Sequence, residues 1–346
     1  MAIDFPISPN DAVKILLQSL PAKRMRDVVE RRFGLKGGKK STLEEIGTAY
    51  KITRERVRQI EADAMRRLRG RDHEEVRPLL IALENVVREH GGVMADDHLF
   101  SHASPARFHP HLQFLLHTHP SFVRVAETET FHPRWASDSA AAGSAEGVMV
   151  RVAKRLEESE IPVAEEQLHA FLASETSADD KDSLSEKSRQ AYLATAKLIK
   201  RNPYGEYGLV SWATVCPRGI KDKAYAAILK TGKPMHFREV AAAIDRAAWP
   251  GKKKAHPQTV HNELIKDPRF ILVGRGMYAL KEWGYESGTV RDILISLMTN
   301  SPKPLTRDEL VKLASERRMV KAQTILLNLQ DRSRFKRTED GGYTLV

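Results

Sequence analysis

The sequence predicts a mainly α-helical protein with small β wings, in which an N-terminal helix-turn-helix precedes tandem winged-helix modules. Two observations predict this fold: a pair of capped, amphipathic helices near the N terminus, and an internal repeat in the C-terminal half. The chain has 346 residues, more than one small domain needs. We therefore expect five modules, over residues 1–73, 75–137, 146–217, 219–285 and 288–346, with a Ser/Ala/Gly-rich linker at 136–147.

Residues 42–69 carry the pattern of a helix-turn-helix. Thr42 and Glu45 have the spacing of a capping box, which predicts the start of one helix. Thr53 is a suitable N-cap for the next helix. Gly47 has no side chain, so we expect the second helix to cross the first closely at this residue.

The second helix of this pair separates into two faces at about 100° per residue. An apolar arc of about 80° predicts a buried face, formed by Val57, Ile60, Ala64 and Leu68. The opposite arc contains Arg54, Glu55, Arg58, Gln59 and Ala62. Arginine pairs with guanine, glutamine with adenine, and glutamate accepts from cytosine. This face is therefore predicted to read base edges; the alternative is a polar face that is only solvated.

Most of the excess positive charge lies in the same part of the chain. The formal net charge is +11, and residues 1–73 contribute +7 of it, from 17 Lys and Arg against 10 Asp and Glu. A basic cluster of this kind favours a polyanionic partner. We therefore expect the first module to bind double-stranded DNA.

The C-terminal half contains an internal repeat. Residues 258–280 match residues 323–345 at an offset of 65, and residues 234–240 match 304–310 at an offset of 70. In each copy, helical periodicity is followed by a strand–turn–strand pattern. Three helices closed by a hairpin predict a winged helix. Weaker copies of the pattern predict two further modules upstream.

The segment from Leu20 to Arg69 closely resembles the fourth conserved region of bacterial primary sigma factors. The resemblance is carried by Phe33-Gly34-Leu35, by residues 42–47 and by residues 53–62. In that family the module reads the promoter −35 element in the major groove and docks on the flap of the RNA polymerase β subunit. The same two partners, promoter-like DNA and the β flap, are what the resemblance implies for this chain.

The resemblance also implies roles for individual residues. It assigns base contacts to Arg54, Glu55, Arg58 and Gln59, and phosphate or groove-edge contacts to Arg24, Thr42 and Leu43. Asp63 stands where primary sigma factors usually have a lysine near the DNA backbone, which puts one phosphate contact in doubt. No segment resembles the promoter-melting region, so we expect a sigma-like regulator rather than a complete sigma factor.

Residues 219–284 resemble the HARE-type helix-turn-helix, a winged helix that occurs in the delta subunit of RNA polymerase, chromatin regulators and some restriction enzymes. The residues that carry this resemblance are 234–240, 256–265 and 270–280. In a DNA-binding role, Lys252, Lys253 and Lys254 would hold phosphates. Thr259, His261 and Asn262 would then face a groove. The alternative is a protein-docking module with a solvated lysine loop.

Membrane, redox and catalytic classes are not indicated by the sequence. It has no run of about 18 apolar residues, no signal-peptide pattern, and a single cysteine, Cys216, which excludes an internal disulfide and a thiolate zinc site. His98 and His102 have metal-binding spacing within a histidine-rich stretch, but we expect packing or surface roles and no metal. No phosphate loop, catalytic triad order or nuclease-like cluster is present. We expect a cytoplasmic, nucleoid-associated protein that is not an enzyme and has no cofactor.

These patterns together predict a DNA-binding transcription regulator in contact with RNA polymerase. Two alternatives remain open at this point. One is a delta-like polymerase accessory subunit that docks on protein without reading sequence. The other is the recognition subunit of a restriction system.

Overall fold

A computed structural model describes residues 3–37, 39–69, 73–176, 184–251, 254–318, 320–338 and 340–346. The protein is mainly helical with small sheets, as the sequence predicts. The chain forms two compact units: Met1–Lys200 with Tyr207–Leu209, and Arg201–Glu206 with Val210–Val346. Among the described residues, no helix combines the length and the apolar character that a membrane span requires.

The first unit begins with four helices, α1 to α4: Pro9–Gln18, Lys23–Phe33, Leu43–Tyr50 and Arg54–Arg69. Local sequence explains their ends. Ser8 caps α1 with its side chain, and Gly34 ends α2 in the left-handed conformation, at φ 71°. The predicted capping box at the start of α3 is confirmed, because Thr42 and Glu45 each accept from the other's backbone N–H.

The next segment contains three helices and a three-stranded sheet. In chain order these are α5 (Arg77–Glu89), β1 (Val93–Ala95), α6 (Asp96–Ala103), α7 (His109–Thr118), β2 (Val123–Val125) and β3 (Arg134–Ala136). A short 3-10 helix, Ala106–Phe108, precedes α7. The antiparallel sheet has the order β1-β3-β2, with Trp135 of β3 opposite both Met94 and Arg124.

A third segment again has three helices followed by a pair of strands, without a strand after its first helix among the described residues. It contains α8 (Ser139–Ser159), α9 (Glu165–Glu175), α10 (Glu186–Thr195), β4 (Ile199–Arg201) and β5 (Tyr207–Leu209). The expected linker at 136–147 is wrong, because Ser139 begins the 21-residue helix α8. Asp138 caps this helix, and alanine is a strong helix former, so the composition that suggested a linker starts a helix instead.

The second unit contains both copies of the strong repeat. The first copy has α11 (Ile220–Thr231), β6 (Met235–His236), α12 (Phe237–Arg246), α13 (Pro257–Lys266), β7 (Phe270–Gly274) and β8 (Met277–Leu280), followed by a 3-10 turn at Lys281–Trp283. The second has α14 (Val290–Thr299), α15 (Arg307–Arg317), α16 (Ala322–Leu329), β9 (Phe335–Arg337) and β10 (Tyr343–Leu345). Each copy has an apolar core of its own. Helices and a closing hairpin therefore follow one another as the sequence predicts.

The four N-terminal helices share one apolar core with the segment that follows them. The ring of Phe33 at the end of α2 meets Phe114 of α7 edge-on, with centroids 5.2 Å apart. Leu16 of α1 and Leu68 of α4 belong to the same buried cluster as Leu112 of α7. Helix α7 therefore lies against α1, α2 and α4, and the elements from α1 to β3 are packed around a common interior.

Histidines in this shared core predict a loss of stability in acid. Burial lowers the pKa of five of them: His98, His102, His111, His117 and His119. In the unfolded chain they titrate near 6.5. Below that pH the unfolded state therefore binds protons that the folded state does not, and stability falls as pH decreases.

We expect the urea midpoint of the first unit to decrease between pH 7.5 and pH 5.5, as followed by circular dichroism. His117→Gln should reduce this dependence, because one of the contributing groups is then removed. An unchanged midpoint over that range would show that these histidines are protonated equally in both states.

Candidate nucleic-acid interface

The turn between α3 and α4 is built around a glycine. A Cβ atom on Gly47 would lie 2.8 Å from the carbonyl oxygen of Ile52 and 3.5 Å from the backbone nitrogen of Arg54. Both neighbours are backbone atoms that precede or begin α4. The expected close crossing at Gly47 is confirmed, and it fixes the angle at which α4 leaves the turn.

Helix α4 buries its aliphatic side, as predicted. Val57 and Ala64 are fully buried and Leu68 nearly so. Val57 packs with Val28 of α2 and Ile46 of α3, while Ala64 and Leu68 belong to the core shared with α7. The orientation of α4 is therefore set by two apolar contacts along its length.

The opposite side of α4 is exposed at its N-terminal end. The residues on it are Arg54, Glu55, Arg58, Gln59 and Ala62, all solvent-exposed. The structure thus brings the four predicted base readers together on the first two turns of one helix. A major groove about 12 Å wide admits a helix presented in this way.

Two of the predicted readers are hydrogen-bonded to each other. The Nε and Nη2 atoms of Arg58 donate to the two carboxylate oxygens of Glu55 at 2.9 and 2.7 Å. These bonds hold the pKa of the Glu55 carboxyl below its usual value. The side chains are 62% and 55% exposed, and ion pairs in water are weak. The pair therefore orients Arg58 in the free protein and can open when a base edge replaces Glu55.

Gln59 is oriented by a neighbour as well. Its side-chain oxygen accepts a hydrogen bond from Arg56 at 3.0 Å. The amide plane is therefore partly fixed before any partner binds. A fixed amide suits bidentate recognition of adenine, in which the oxygen accepts from N6 and the nitrogen donates to N7.

The residues expected at phosphates occupy the two preceding helices. Arg24 is exposed, and its guanidinium lies over the Tyr50 ring at 4.7 Å from the centroid. Thr42 and Leu43 stand at the N terminus of α3, where backbone N–H groups lack helical partners. The side chain of Leu43 packs against the small cluster around Ile46, so only its backbone is suited to a polar contact.

Asp63, the departure from the sigma pattern, is engaged within α4. Its carboxylate accepts from Arg67 at 3.0 Å and lies 3.8 Å from Arg66. The acid is therefore neutralised by two arginines on the next turn. Those arginines, which the sequence interpretation did not single out, are the positive charges beside Asp63 at this end of the helix.

The second predicted interface, on α13, is less complete. Lys252 and Lys253 lie outside the described residues, and Lys254 is exposed. Thr259 and Asn262 are exposed on α13, as a groove contact would require.

His261 does not lie on the outer face of α13, and that prediction is wrong. Its ring is half-buried and lies 4.6 Å from Phe237 and 5.8 Å from Tyr278, measured between centroids. At about 100° per residue, His261 is only about 60° from the buried Leu264, so it borders the core side of the helix.

A cleft that sequence reasoning missed lies beside the C-terminal half of α4. It has a volume of about 810 Å³. Its lining residues come from α2, the α2–α3 loop, α4 and α7: Arg32, Phe33, Lys40, Glu61, Ala62, Met65, Arg66, Arg69, Gln113 and His117. Helical spacing could have identified Arg66 and Arg69 as continuations of the reading face. Gln113 carries no such signal, because only tertiary packing brings α7 to α4.

One group of possible metal ligands lies elsewhere in the first unit. Glu165, His169 and Glu186 bring their ligand atoms within 4.8 Å of one another. The Glu186 carboxylate already accepts from Arg189 and Gln190, each at 2.8 Å. The Glu186 carboxylate is thus already occupied by protein donors, and we assign no metal to this group.

Gly47→Ala is expected to distort the interface through the backbone. The added methyl group meets a carbonyl oxygen at 2.8 Å, so the start of α4 must shift. We expect a loss of about 1–3 kcal/mol of stability and weaker DNA binding. Gly143→Ala is the matched control, because nothing lies within 4 Å of a Cβ there and alanine favours a helix. Equal effects of the two substitutions on urea unfolding would contradict the close crossing.

Comparison with known proteins identifies the N-terminal helices. Residues 16–70 match the family model for sigma-70, region 4. RNA polymerase sigma factor SigA of Nostoc sp. is 52% identical to this chain over 59 residues, which are 17% of the chain and 15% of that protein. SigA of Clostridium acetobutylicum is 46% identical over 68 residues, 20% of the chain and 18% of that protein. SigA of Synechocystis sp. is 59% identical over 46 residues, 13% of the chain and 11% of that protein.

The resemblance to region 4 of sigma factors is therefore confirmed for residues 16–70. The chain spans less than one fifth of the length of these relatives. The matched segment contains α2, α3 and α4 with all four exposed readers. Helix α7 and the cleft wall that it supplies lie outside the match.

Proposed function

We propose that this chain is a sigma-like DNA-binding transcription regulator that reads a −35-like sequence with helix α4. One observation carries the proposal. Within the segment that matches sigma-70 region 4, four side chains suited to base recognition stand together on the exposed N-terminal turns of α4. Because the opposite face is buried, the helix has one orientation available for entering a groove.

We further propose that the four segments after residue 75 are winged-helix modules, over 75–137, 146–217, 219–285 and 288–346. The order of three helices and a closing pair of strands, which recurs in each segment, supports this classification. The module at 219–285 is proposed to be of the HARE type. Its exposed Lys254, Thr259 and Asn262 are proposed as additional DNA contacts.

Contact with RNA polymerase is proposed from the relatives, which are named RNA polymerase sigma factors. The β flap is the expected docking site. In this chain Phe33 and Leu68 are buried against the shared core with α7. A partner must therefore use another surface of the N-terminal helices while α7 remains in place.

Selection of binding sites from a pool of random duplexes tests the proposal. With the full chain we expect enrichment of one short motif, and we expect RNA polymerase to co-purify with the tagged protein. A delta-like accessory subunit that only docks would bring down polymerase and enrich no motif. A restriction recognition subunit would enrich a motif without polymerase. Either result would overturn the proposal that one chain both reads a DNA motif and contacts RNA polymerase.

A further inference from the structure

The cleft beside α4 continues the face that carries the base readers. Measured around α4 from Val57 at about 100° per residue, Glu55 and Arg58 lie at about 160° and 100°. Arg69 and Arg66 of the cleft lie at about 120° and 180°. Ala62, at about 140°, is both the last residue of the exposed face and part of the cleft lining. A duplex seated on the readers therefore has the cleft directly beside it.

The cleft has an excess of positive charge. Its lining includes Arg32, Lys40, Arg66 and Arg69 against a single acid, Glu61. Glu61 and Arg32 form an ion pair at 3.1 Å, so they offset each other. Arg66 remains 77% exposed, and Lys40 is exposed. Arg66 is only loosely paired with Asp63, at 3.8 Å, so it and the two cations Lys40 and Arg69 favour an anionic ligand.

Helix α7 supplies the far wall and holds two of these cations in position. Lys40 Nζ donates to the side-chain oxygen of Gln113 at 2.5 Å. Arg69 Nε donates to the main-chain oxygen of His117 at 2.6 Å. Helix α7 is held in place because its side chains Phe114 and Leu112 are buried in the common core. The spacing between α4 and the wall is therefore fixed by the fold.

We propose that this cleft binds the sugar-phosphate backbone of the same duplex that α4 reads, so that the module after the helix-turn-helix enlarges the DNA footprint. Arg66, Arg69 and Lys40 contact phosphates, and the Gln113 amide donates a further hydrogen bond from α7. This inference rests on the proposed function for the position of the duplex. Because phosphate contacts carry no sequence information, the cleft adds affinity equally on every sequence.

The salt dependence of binding by the full chain tests this inference. Each phosphate contact contributes about 0.9 to the slope of log affinity against log salt. Arg66→Gln should lower the slope by about that amount. The variant's loss of affinity should then be roughly three- to fourfold greater at 50 mM than at 200 mM salt. Its preference for the selected motif should equal that of the wild type.

Arg67→Gln is the matched control for Arg66→Gln. Both arginines interact with Asp63, but Arg67 lies at about 280° on α4, away from the readers and the cleft. Its substitution should leave the slope unchanged.

A second pair of variants tests the wall that α7 supplies. Gln113→Glu places a negative charge in the cleft, and Gln18→Glu makes the same charge change at an exposed residue of α1. We expect Gln113→Glu alone to weaken binding to all duplexes.

The outcomes separate this inference from the proposed function. A wild-type slope for Arg66→Gln together with wild-type affinity for Gln113→Glu would overturn the cleft as a backbone site, even if the motif is still selected. A reduced slope in a protein that selects no motif would support the cleft and refute sequence reading by α4. Absence of any duplex binding would refute both.

Discussion

Arg58→Ala is expected to reduce the preference for the selected sequence by about 1–3 kcal/mol, or roughly 5- to 150-fold, at one base pair. The physical reason is the loss of a bidentate contact between a guanidinium and guanine, which no other side chain of the face replaces. The measurement compares affinities for the selected duplex and for a duplex with that base pair changed. Affinity for unrelated duplexes should decrease much less.

The control for Arg58→Ala must account for Glu55. Without Arg58 the Glu55 carboxylate loses both of its hydrogen bonds from that side chain, and its negative charge faces the DNA without the arginine that offset it. The double variant Glu55→Gln/Arg58→Ala removes this repulsion, and we expect it to recover affinity but not preference. Arg67→Ala removes the same charge from the far side of α4. If Arg58→Ala and Arg67→Ala weakened all sequences alike, the reading face would be assigned wrongly.

Phe114→Ala is expected to lower the free energy of unfolding of the first unit by about 3–5 kcal/mol. The ring is fully buried and packs edge-on against Phe33 of the matched segment. Because the core is shared, the helices around α4 should unfold together with α7. Urea unfolding and DNA binding, measured on the same samples, should therefore shift to lower urea in parallel.

Phe335→Ala is the matched control for Phe114→Ala. It deletes the same buried ring in the last repeat copy, whose core is separate. We expect it to destabilise the last repeat copy and to leave the urea dependence of motif binding unchanged, because the proposed contacts on α13 belong to a different core. If Phe114→Ala also left that dependence unchanged, the helix-turn-helix would be an independent folding unit and the shared core would have no energetic role.

Local features of the N-terminal helices could be predicted because they depend on short-range geometry. The capping box at Thr42, the close approach at Gly47 and the buried side of α4 each follow from residues within one or two helical turns. The match to sigma-70 region 4 adds the family for residues 16–70. The exposed positions of Arg54, Glu55, Arg58 and Gln59 follow from the same periodicity.

Features that depend on tertiary packing could not be predicted. Nothing near Phe114 or Gln113 in the sequence indicates that α7 packs on α4 rather than facing solvent or DNA. His261 has the composition of a groove contact, yet its angular position places it beside Phe237 and Tyr278. The division into five modules stays a proposal, and the first boundary falls within one continuous core.

Interference by base methylation is the most direct test of the central claim, that the outer face of α4 contacts bases in the major groove. Dimethyl sulfate modifies guanine N7, a major-groove acceptor that arginine binds. We predict that methylation at one or a few guanines of the selected motif blocks binding of the wild-type chain. At one of those guanines, methylation should no longer reduce binding of the Arg58→Ala variant. Interference that is identical for both proteins, or confined to minor-groove positions, would contradict the account.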